Sequence, residues 1–248
     1  MSGAALVTGG GQGLGRTFCH ALAAVGRAVA IADINAGNAE AVADAIRATG
    51  GTAAAVATDV ADPLSVAHKA DEAESAVGRV DVLVNNAALF STLSMGPFDE
   101  IALEEWNRVM AVNLTGAFLC CQALVPRMCH RGYGKVINIS SATVLTGRPG
   151  YLHYVSAKAG LVGLTRGLAS EVGPRGVRVN AITPGSTRTE IERETITPEG
   201  RAEMARQTAL RRVQVPDDLT GAVLFLASPG SDFITGQTLN VDGGFAFH

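Results

Sequence analysis

The sequence predicts an α/β fold in which a doubly wound parallel sheet of about seven strands carries helices on both faces. Short apolar runs alternate with amphipathic segments along the whole chain. Most of these runs are continuously apolar, which is typical of strands covered on both faces. No low-complexity segment or charge run divides the 248 residues, so we expect a single domain spanning 1–248.

The strands are predicted from short runs rich in alanine and β-branched residues. The first, AALVT, leads directly into a glycine loop, and the next two, AVAIAD and AAAVAT, each follow a helical segment. VDVLVN, KVINIS, VRVNAI and TLNV continue the alternation. The predicted strands are 4–8, 28–33, 53–58, 80–85, 135–140, 177–182 and 238–241.

The helices are predicted from apolar residues that recur every three or four positions. Leu14, Phe18, Leu22 and Val25 form one such stripe after the first strand. The other predicted helices are 38–48, 63–77, 103–130, 154–172 and 216–227. Helices that link successive strands give the right-handed crossovers of a parallel sheet.

The charge and hydropathy of the sequence indicate which kinds of partner the protein is not expected to bind. The net charge is −3 with no block of like charges, which argues against nucleic acid or an anionic membrane as the main partner. No apolar run approaches the roughly 18 residues of a membrane span, and no basic segment precedes the first strand. We therefore expect a cytoplasmic protein.

The four cysteines are Cys19, Cys120, Cys121 and Cys129. They show no C-x-x-C spacing, and the pairs Cys19-His20 and Cys129-His130 have no further ligand at metal-binding spacing. Buried, reduced thiols are therefore expected rather than disulfides, and no metal site is expected.

A glycine loop follows the first strand and opens a helix. The stretch TGGGQGLG has the pattern T-G-x-x-x-G-x-G, formed by Thr8, Gly9, Gly13 and Gly15. Glycines without a Cβ let backbone N–H groups and a helix N-terminus approach a pyrophosphate. A tight strand-to-helix turn needs glycine as well, so the loop alone leaves both interpretations open.

Asp33 ends the second predicted strand, 20 residues beyond Gly13, where an acid can bind an adenosine ribose. It lies too early to cap the helix predicted near Asn38. Its charge would repel a 2′-phosphate by about 3 kcal/mol at about 5 Å and an effective dielectric of 20. No Lys or Arg lies at 9–15 or 33–46, and Arg16 is expected on an exposed helix flank. NAD is therefore favoured over NADP.

The stretch YLHYVSAK holds two tyrosines and one lysine. Tyr154 and Lys158, four residues apart, share a helix face, whereas Tyr151 lies seven residues from Lys158. An ammonium beside a phenol favours the phenolate, so Tyr154 would exchange a proton near neutral pH. A surface Tyr and Lys on an ordinary helix is the alternative.

Together these residues resemble the short-chain dehydrogenase/reductase family over essentially the whole chain, which implies a Rossmann-type fold. The matching motifs are T-G-x-x-x-G-x-G at 8–15, Asp59, NNAA at 85–88, Asn113, Ser141, Tyr154-x-x-x-Lys158, PG at 184–185 and VDGG at 241–244. The resemblance implies a cofactor half at about 1–135 and a catalytic and substrate half at about 136–248.

The resemblance also implies the catalytic roles. Tyr154 would be the general acid/base, and Lys158 would lower its pKa and bind the nicotinamide ribose. Ser141 would hydrogen-bond the substrate oxygen, with Ser140 as the competing choice. Asn113 would keep a helix locally open to hold a proton-relay water.

The cofactor implied is NAD (NADH), bound along the ends of several strands. Asp59 and Val60 would meet the adenine, the segment from Asn86 the adenosine side, and the segment from Pro184 the nicotinamide. The implied cofactor contacts are Gly9, Gln12, Gly13, Leu14, Gly15, Asp33, Asp59, Val60, Asn86, Ala88, Tyr154, Lys158, Pro184, Gly185, Thr187 and Thr189.

Three residues carry narrower expectations. Ala88 stands where the family usually has glycine, which is harmless if its φ is negative. His153 adjoins Tyr154 but faces another way on the helix, so we expect no direct catalytic role. Trp106 is expected to pack on the long helix at 103–130.

A polar segment at about 186–213 is expected to form a mobile lid over the cleft. Its apolar residues Ile191, Ile196, Met204 and Leu210 are expected to face the substrate, opposite Leu145, Tyr151 and Leu152. Such walls suit a hydrophobic alcohol or ketone better than a sugar. VQVPDDLTGAVLFLAS and DFITGQTLNVDGGFAFH are similar to segments of aryl secondary-alcohol dehydrogenases within the family.

We therefore expect an NAD-dependent enzyme that interconverts a secondary alcohol and its ketone. The alternatives are a 3-oxoacyl-carrier-protein reductase, for which Arg127 and Arg131 offer a basic patch, a polyol or hydroxy-acid dehydrogenase, and a non-catalytic nucleotide-binding scaffold. A homo-oligomer, expected to be a tetramer, follows from small residues along helix 154–172 and the apolar tail GGFAFH.

Overall fold

The computed structural model describes residues 3–191 and 197–247. Seven parallel strands form one sheet in the order β3-β2-β1-β4-β5-β6-β7. Their bounds are β1 Ala4–Thr8, β2 Val29–Asp33, β3 Ala53–Ala57, β4 Val80–Asn85, β5 Gly134–Ile139, β6 Val177–Pro184 and β7 Thr238–Val241. The fold is thus the doubly wound, Rossmann-type sheet that the sequence predicts, and its order reverses between β1 and β4.

Helices link successive strands on both faces of the sheet. The α-helices are α1 Gly13–Ala24, α2 Ala36–Ala48, α3 Pro63–Val77, α4 Leu103–Met110, α5 Gly116–Arg131, α6 Thr143–Thr146, α7 Leu152–Val172, α8 Pro198–Gln207 and α9 Asp217–Leu226. Asn35 caps α2 through a 3.0 Å bond from the N–H of Asn38 to its side-chain oxygen. Asp33 is therefore not the cap of that helix.

Two helical features differ from the sequence prediction. The single helix predicted at 103–130 is divided by a π-helical turn, Ala111–Thr115, between α4 and α5. The segment at about 186–213, which was expected to form a lid, contains α8. The sequence did not predict this helix because the segment is mostly polar and has no apolar stripe. Thr197 begins α8 by accepting a hydrogen bond from the N–H of Gly200 at 3.1 Å.

Alternation along the strands divides the core into two layers. Leu6 and Leu83 pack on one face of the sheet with α3, α5 and α7, whereas Val7 and Val84 pack on the other with α1, α2 and α9. Both layers are fully buried, which explains why the strands are apolar on consecutive residues. The apolar layers hold the strand ends, and the loops that follow them, in fixed positions.

Within the described residues, one helical stretch, Leu103–Arg131, is long and apolar enough by composition to cross a membrane. The expectation that no run approaches that length was therefore wrong on this criterion. The stretch packs against α3, β4 and β5 through Cys120, Leu124 and Met128. It is a core helix of the α/β fold, and its apolar character follows from that burial.

Candidate active site

A cavity of about 880 Å³ lies at the carboxyl ends of the strands. This is the edge at which open parallel sheets bind ligands, beside the point where the strand order reverses. The predicted site residues that line it are Gly9, Gln12, Gly13, Leu14, Asp33, Asp59, Val60, Asn86, Ala88, Ser141, Tyr154, Lys158, Pro184, Gly185, Thr187 and Thr189. Gly15 and Asn113 were also predicted and do not line the cavity.

The glycine loop is shaped by close backbone contacts. Gly9 and Gly13 have φ of 62° and 55°, a region that favours glycine. A Cβ on Gly15 would lie 2.0 Å from the carbonyl oxygen of Gly9, so Gly15 lets α1 pack against the loop. Asn86 ties the end of β4 to the loop by donating to the carbonyls of Thr8 and Gly9 at 3.0 and 3.1 Å.

Asp33 is held at the end of β2 with its carboxylate fixed by backbone N–H groups. Oδ2 accepts from Gly11 and Oδ1 from Asn35, both at 2.9 Å. The cations that line the cavity, Lys158, Arg148, Arg201 and Arg212, belong to segments after β5 and β6. The β2 end of the described cavity therefore carries acidic charge, supplied by Asp33 and Asp59.

Lys158 is the most perturbed basic group of the cavity. Its side chain is 2% exposed, and Nζ donates a 2.8 Å hydrogen bond to the carbonyl oxygen of Ile139. Nζ lies 5.8 Å from the centre of the Tyr154 ring. Desolvation by burial lowers the pKa of Lys158 to about 7. The predicted pairing of Tyr154 and Lys158 on one helix face is thus present in the geometry.

The two adjacent serines after β5 have different environments. The Ser140 hydroxyl donates a 2.7 Å hydrogen bond to the carbonyl oxygen of Lys158, which ties it to the backbone of α7. The Ser141 hydroxyl accepts from the N–H of Thr143 at 3.2 Å and from the Thr143 hydroxyl at 2.9 Å. In both of these hydrogen bonds the Ser141 hydroxyl is the acceptor, so neither bond uses its proton.

Asn113 lies in the π-helical turn and is 1% exposed. Its side-chain N–H donates to the carbonyl of Leu89 at 3.0 Å, and its Oδ1 accepts from the Leu89 N–H at 2.7 Å. The side chain is therefore fully engaged with the loop after β4, and it anchors the opened helix to the cavity wall. A π turn leaves the local helical hydrogen-bond ladder open, as the resemblance implied for this position.

Aromatic rings form the wall beside Tyr154. The Phe90 ring centre lies 4.4 Å from that of Tyr154 and 5.4 Å from that of Tyr151. Phe90 lines the cavity, whereas Tyr151 is 1% exposed and lies behind that wall. Sequence reasoning missed Phe90, although its position just after NNAA, at a strand's carboxyl end, was a usable signal.

The apolar lining only partly matches the prediction. Ile191 and Met204 line the cavity as predicted, and the unpredicted apolar members include Phe90, Met95 and Phe245. The expectation that Leu145, Leu152, Leu210 and Tyr151 face the substrate was wrong: the three leucines are 37%, 46% and 63% exposed outside the lining. Ile196 lies outside the described residues. Polar side chains, including Ser91, Thr92, Thr146 and Gln207, also line the cavity.

The segment after β6 contacts the glycine loop directly. Oε1 of Glu190 accepts a 2.8 Å hydrogen bond from the N–H of Gly13 and lies 3.0 Å from Nη2 of Arg16. Arg16 is exposed on α1, as expected. In the same segment, Thr187 is held by a 2.9 Å hydrogen bond from its hydroxyl to Oε1 of Gln214.

The basic patch considered for an acidic partner is neutralised. Arg127 pairs with Asp71 at 2.6 Å and with Glu74 at 3.0 Å. Arg131 pairs with Glu74 at 3.1 Å and lies 3.6 Å from Asp81. Desolvation raises the pKa of Glu74, but the hydrogen bond from the Val80 N–H, the hydrogen bond from Arg127 and the charges of both arginines together lower it below its usual value. Both arginines are thus committed to acids of the same chain.

Three further residues were singled out in the sequence: His153, Ala88 and Trp106. His153 is 1% exposed, lies outside the cavity lining, and has Nε2 3.5 Å from Oε1 of Glu105. Ala88 has no positive φ, since Arg211 is the one non-glycine residue with a positive φ in the described chain. Trp106 is half-buried on α4.

The cysteines are free thiols, and burial raises the pKa of Cys120 and of Cys121 to about 12. Thiols of this kind are inert at neutral pH. Among residues 3–191 and 197–247, no cluster of three or more His, Cys, Asp or Glu side chains has the arrangement of a metal site.

A glycine loop and a Tyr–Lys pair that face one cavity at the strand ends are typical of dinucleotide-dependent oxidoreductases. A family model described as enoyl-(acyl carrier protein) reductase matches residues 9–246. The chain belongs to the short-chain dehydrogenase/reductase family, as the sequence resemblance indicated.

Similar proteins differ in their substrates. The chain is 40% identical to a probable galactose dehydrogenase of Rhizobium meliloti, covering 96% of this chain and 93% of the relative. It is also 40% identical to a 3-oxoacyl-[acyl-carrier-protein] reductase of Synechocystis, covering 97% and 95%. A solved 7α-hydroxysteroid dehydrogenase, complexed with NADH and 7-oxo glycochenodeoxycholic acid, is 34% identical with a TM-score of 0.92, covering 98% and 93%.

These relatives share a reaction class and not a substrate. The protein is an NAD(P)-dependent oxidoreductase of the short-chain dehydrogenase/reductase family that acts on CH–OH groups. The cavity described above is its candidate active site.

Proposed function

We propose that the protein is an NAD-dependent dehydrogenase that interconverts a secondary alcohol, hydrophobic or aromatic in character, and its ketone. The observation that carries this proposal is the juxtaposition of Tyr154 with the buried ammonium of Lys158 in one cavity. Phe90, stacked on Tyr154, supplies an apolar surface next to the reacting group.

The glycine loop and Asp33 fit a dinucleotide. Gly9 and Gly13 leave the loop without Cβ atoms on its cavity side, so phosphates can approach backbone N–H groups. Asp33 and Asp59 would meet the adenosine, and the segments after β5 and β6 the nicotinamide. When bound, the cofactor accepts the hydride that leaves the alcohol carbon.

The chain's own residues then handle the proton. Tyr154 removes the alcohol proton through its phenolate oxygen as the carbonyl forms, and returns one in the reverse direction. Lys158 favours that phenolate by its charge when it is protonated, and Ser141 donates a hydrogen bond to the same substrate oxygen. Ser140 is committed to the backbone of α7, which favours Ser141 for this role. Asn113 holds the opened helix turn beside the site.

NAD is proposed over NADP because the β2 end of the cavity is acidic. Asp33 would repel a 2′-phosphate, and the cations of the cavity lie after β5 and β6. The steroid dehydrogenase structure carries NADH, which supports the same choice.

A sugar or polyol substrate is the second candidate. The polar side chains in the lining favour it, as does similarity to the probable galactose dehydrogenase. The acyl-carrier-protein reductase alternative loses its proposed patch, because Arg127 and Arg131 are ion-paired within the chain. A non-catalytic scaffold has no need of the buried Lys158 beside Tyr154.

A spectrophotometric screen of NAD+ reduction tests the substrate class. The panel contains aryl secondary alcohols, polyols, hydroxy acids and steroids, each at equal concentration. We expect the highest kcat/KM with an aryl secondary alcohol. Preference for polyols or hydroxy acids over every aryl alcohol would reject the hydrophobic substrate and leave the dehydrogenase class intact.

The oligomeric state and the cellular location of the protein are proposed from its surface and its charge. We propose a homotetramer, supported by the open surface of α7 at Gly163 and Gly167, where an added Cβ meets no atom within 4 Å. We propose a cytoplasmic location with no nucleic-acid or membrane partner, supported by the modest net charge of −3.

A further inference from the structure

The arginines that line the cavity on the β5 and β6 side differ in whether an acidic side chain pairs with them. Arg212 is held by two 2.6 Å hydrogen bonds to Asp218. Arg148 and Arg201, which also line the cavity, have no carboxylate within ion-pair distance among residues 3–191 and 197–247. Both guanidinium groups therefore bring positive charge to the cavity wall.

Asp242, an acid that also lines the cavity, is already engaged. The carboxylate of Asp242 accepts hydrogen bonds from the N–H groups of Gly244, Phe245 and Ala246 at 2.9, 3.1 and 2.8 Å. It also accepts from Nδ2 of Asn240 at 2.9 Å. These donors compensate its charge locally, so Asp242 does not serve as a partner for either arginine.

Arg148 is held in place by an aromatic stack that continues to the proposed acid/base. Its Cζ lies 5.3 Å from the centre of the Tyr151 ring, within the range of a cation–π contact. Tyr151 contacts Phe90, and Phe90 contacts Tyr154. The buried Tyr151 thus gives the guanidinium a rigid base at one end of a wall whose other end is Tyr154.

A stacked guanidinium keeps its in-plane N–H groups for a planar acceptor. Arginine binds carboxylates in a bidentate manner, and stacking on an aromatic face fixes the plane in which it does so. Between Arg148 and Tyr154 the cavity presents Phe90 and Met95, which suit an apolar group. The chemistry of this wall is a cation, an apolar stretch and a proton-transfer group in succession.

We propose that Arg148 is a specificity-determining residue that binds a carboxylate of the substrate. The substrate class is accordingly an aryl secondary alcohol or ketone that carries a carboxylate remote from the reacting carbon. This inference rests on the proposed function, because it takes the site around Tyr154 as the reacting centre.

The test compares two ketones that differ in one carboxylate. Acetophenone and 4-acetylbenzoate are titrated calorimetrically into the protein saturated with NAD+, which cannot reduce either ketone. We expect the dissociation constant of 4-acetylbenzoate to be at least tenfold lower than that of acetophenone. Raising the salt concentration from 0.05 to 0.5 M should weaken 4-acetylbenzoate binding selectively, since it screens the guanidinium.

Variants assign the selectivity to Arg148. Arg148→Gln should bring the ratio of the two dissociation constants close to one, whereas Arg148→Lys, which keeps the charge and loses the planar fork, should retain part of it. Arg175→Gln removes an exposed positive charge outside the cavity lining and should leave the ratio unchanged. The NADH affinity and thermal midpoint of each variant report whether it folds.

Equal affinity for the two ketones in the wild-type protein would overturn the inference, as would an unchanged ratio in folded Arg148→Gln. If that variant fails to fold, the wild-type affinity ratio and its salt dependence decide the question. Reduction of acetophenone by NADH is scored separately. Lack of turnover with selective carboxylate binding intact counts against the proposed aryl-ketone activity and in favour of the carboxylate contact.

Discussion

Glu190 accepts a 2.8 Å hydrogen bond from the backbone N–H of Gly13, the first residue of α1. The N-terminus of a helix carries partial positive charge and exposed N–H groups, and it is the end that we propose receives the cofactor's phosphates. A carboxylate from the segment after β6 thus contacts the same donors that a pyrophosphate would use. Arg16 holds it from the other side at 3.0 Å.

This contact predicts that Glu190 competes with the cofactor. In Glu190→Gln the negative charge beside Gly13 is removed, so NADH should bind about two- to fivefold more tightly, the size of a single charge–helix interaction. Fluorescence titration measures the change, and Glu199→Gln, an exposed acid on α8, is the matched control. Weaker NADH binding in Glu190→Gln would mean that Glu190 closes over the cofactor rather than competing with it.

Asp33 predicts the choice of cofactor. We expect kcat/KM to be at least tenfold higher with NAD(H) than with NADP(H), because the carboxylate at the end of β2 repels a 2′-phosphate. Asp33→Asn should narrow that ratio while keeping an oxygen for the N–H of Gly11. Equal kcat/KM values for the two cofactors in the wild-type protein are incompatible with this assignment.

Lys158 predicts a pH-dependent stability difference. Burial lowers the pKa of Lys158 to about 7 in the folded protein, against an ordinary lysine value of 10.5. Between these values the unfolded chain holds a proton that the folded chain has released, so the free energy of unfolding rises with pH. Between pH 7 and pH 9 the free energy of unfolding of the protein with Lys158 should therefore increase by about 2 kcal/mol relative to that of Lys158→Met.

Denaturant titrations of both proteins without cofactor measure this difference. Both proteins carry Tyr154→Phe, because the Tyr154 phenol interacts with Lys158 and would not cancel. Ionisable groups remote from Lys158 contribute equally to the two proteins and cancel in the comparison. A difference that stays constant or falls as the pH rises would show that Lys158 is not desolvated in the folded state.

Much of the fold followed from the sequence because each strand is a short apolar run between helical segments. Burial on both faces imposes that pattern, and every predicted strand is present with ends within two residues of the prediction. Much of the candidate site could also be predicted from the sequence, for a related reason. Residues such as Asp33, Asn86 and Pro184 lie at the carboxyl ends of parallel strands, where the topology brings them together.

The misassigned residues depend on contacts that no local pattern encodes. Tyr151 was predicted to line the cavity, but it precedes the first residue of α7 and its ring packs behind Phe90. The lid helix α8 has a capping residue, Thr197, but no apolar stripe that would reveal it. The contact between Glu190 and Gly13 joins segments 177 residues apart, which single-sequence spacing cannot reveal.

The open face of α7 predicts self-association. Gly163 is exposed and an added Cβ would meet no atom within 4 Å, so we expect the single chain to tolerate Gly163→Trp, whereas the indole would obstruct close approach of a second helix. Phe233 on the same molecule is fully exposed. Light scattering should give four times the chain mass of 25.5 kDa for the wild type and a smaller species for Gly163→Trp. A monomeric wild type at micromolar concentration would reject the tetramer.

The most direct test of the account compares turnover in Tyr154→Phe and Tyr151→Phe. Tyr154→Phe removes the proposed proton-transfer oxygen and keeps the ring against Phe90, so kcat should fall by about 10²–10⁴ while NADH binding persists. Tyr151→Phe keeps the buried ring on which Arg148 stacks and alters no side chain that lines the cavity, so kcat should stay close to the wild-type value. Equal losses of kcat in the two variants, or near-normal turnover in Tyr154→Phe, would contradict the assignment of Tyr154 as the acid/base.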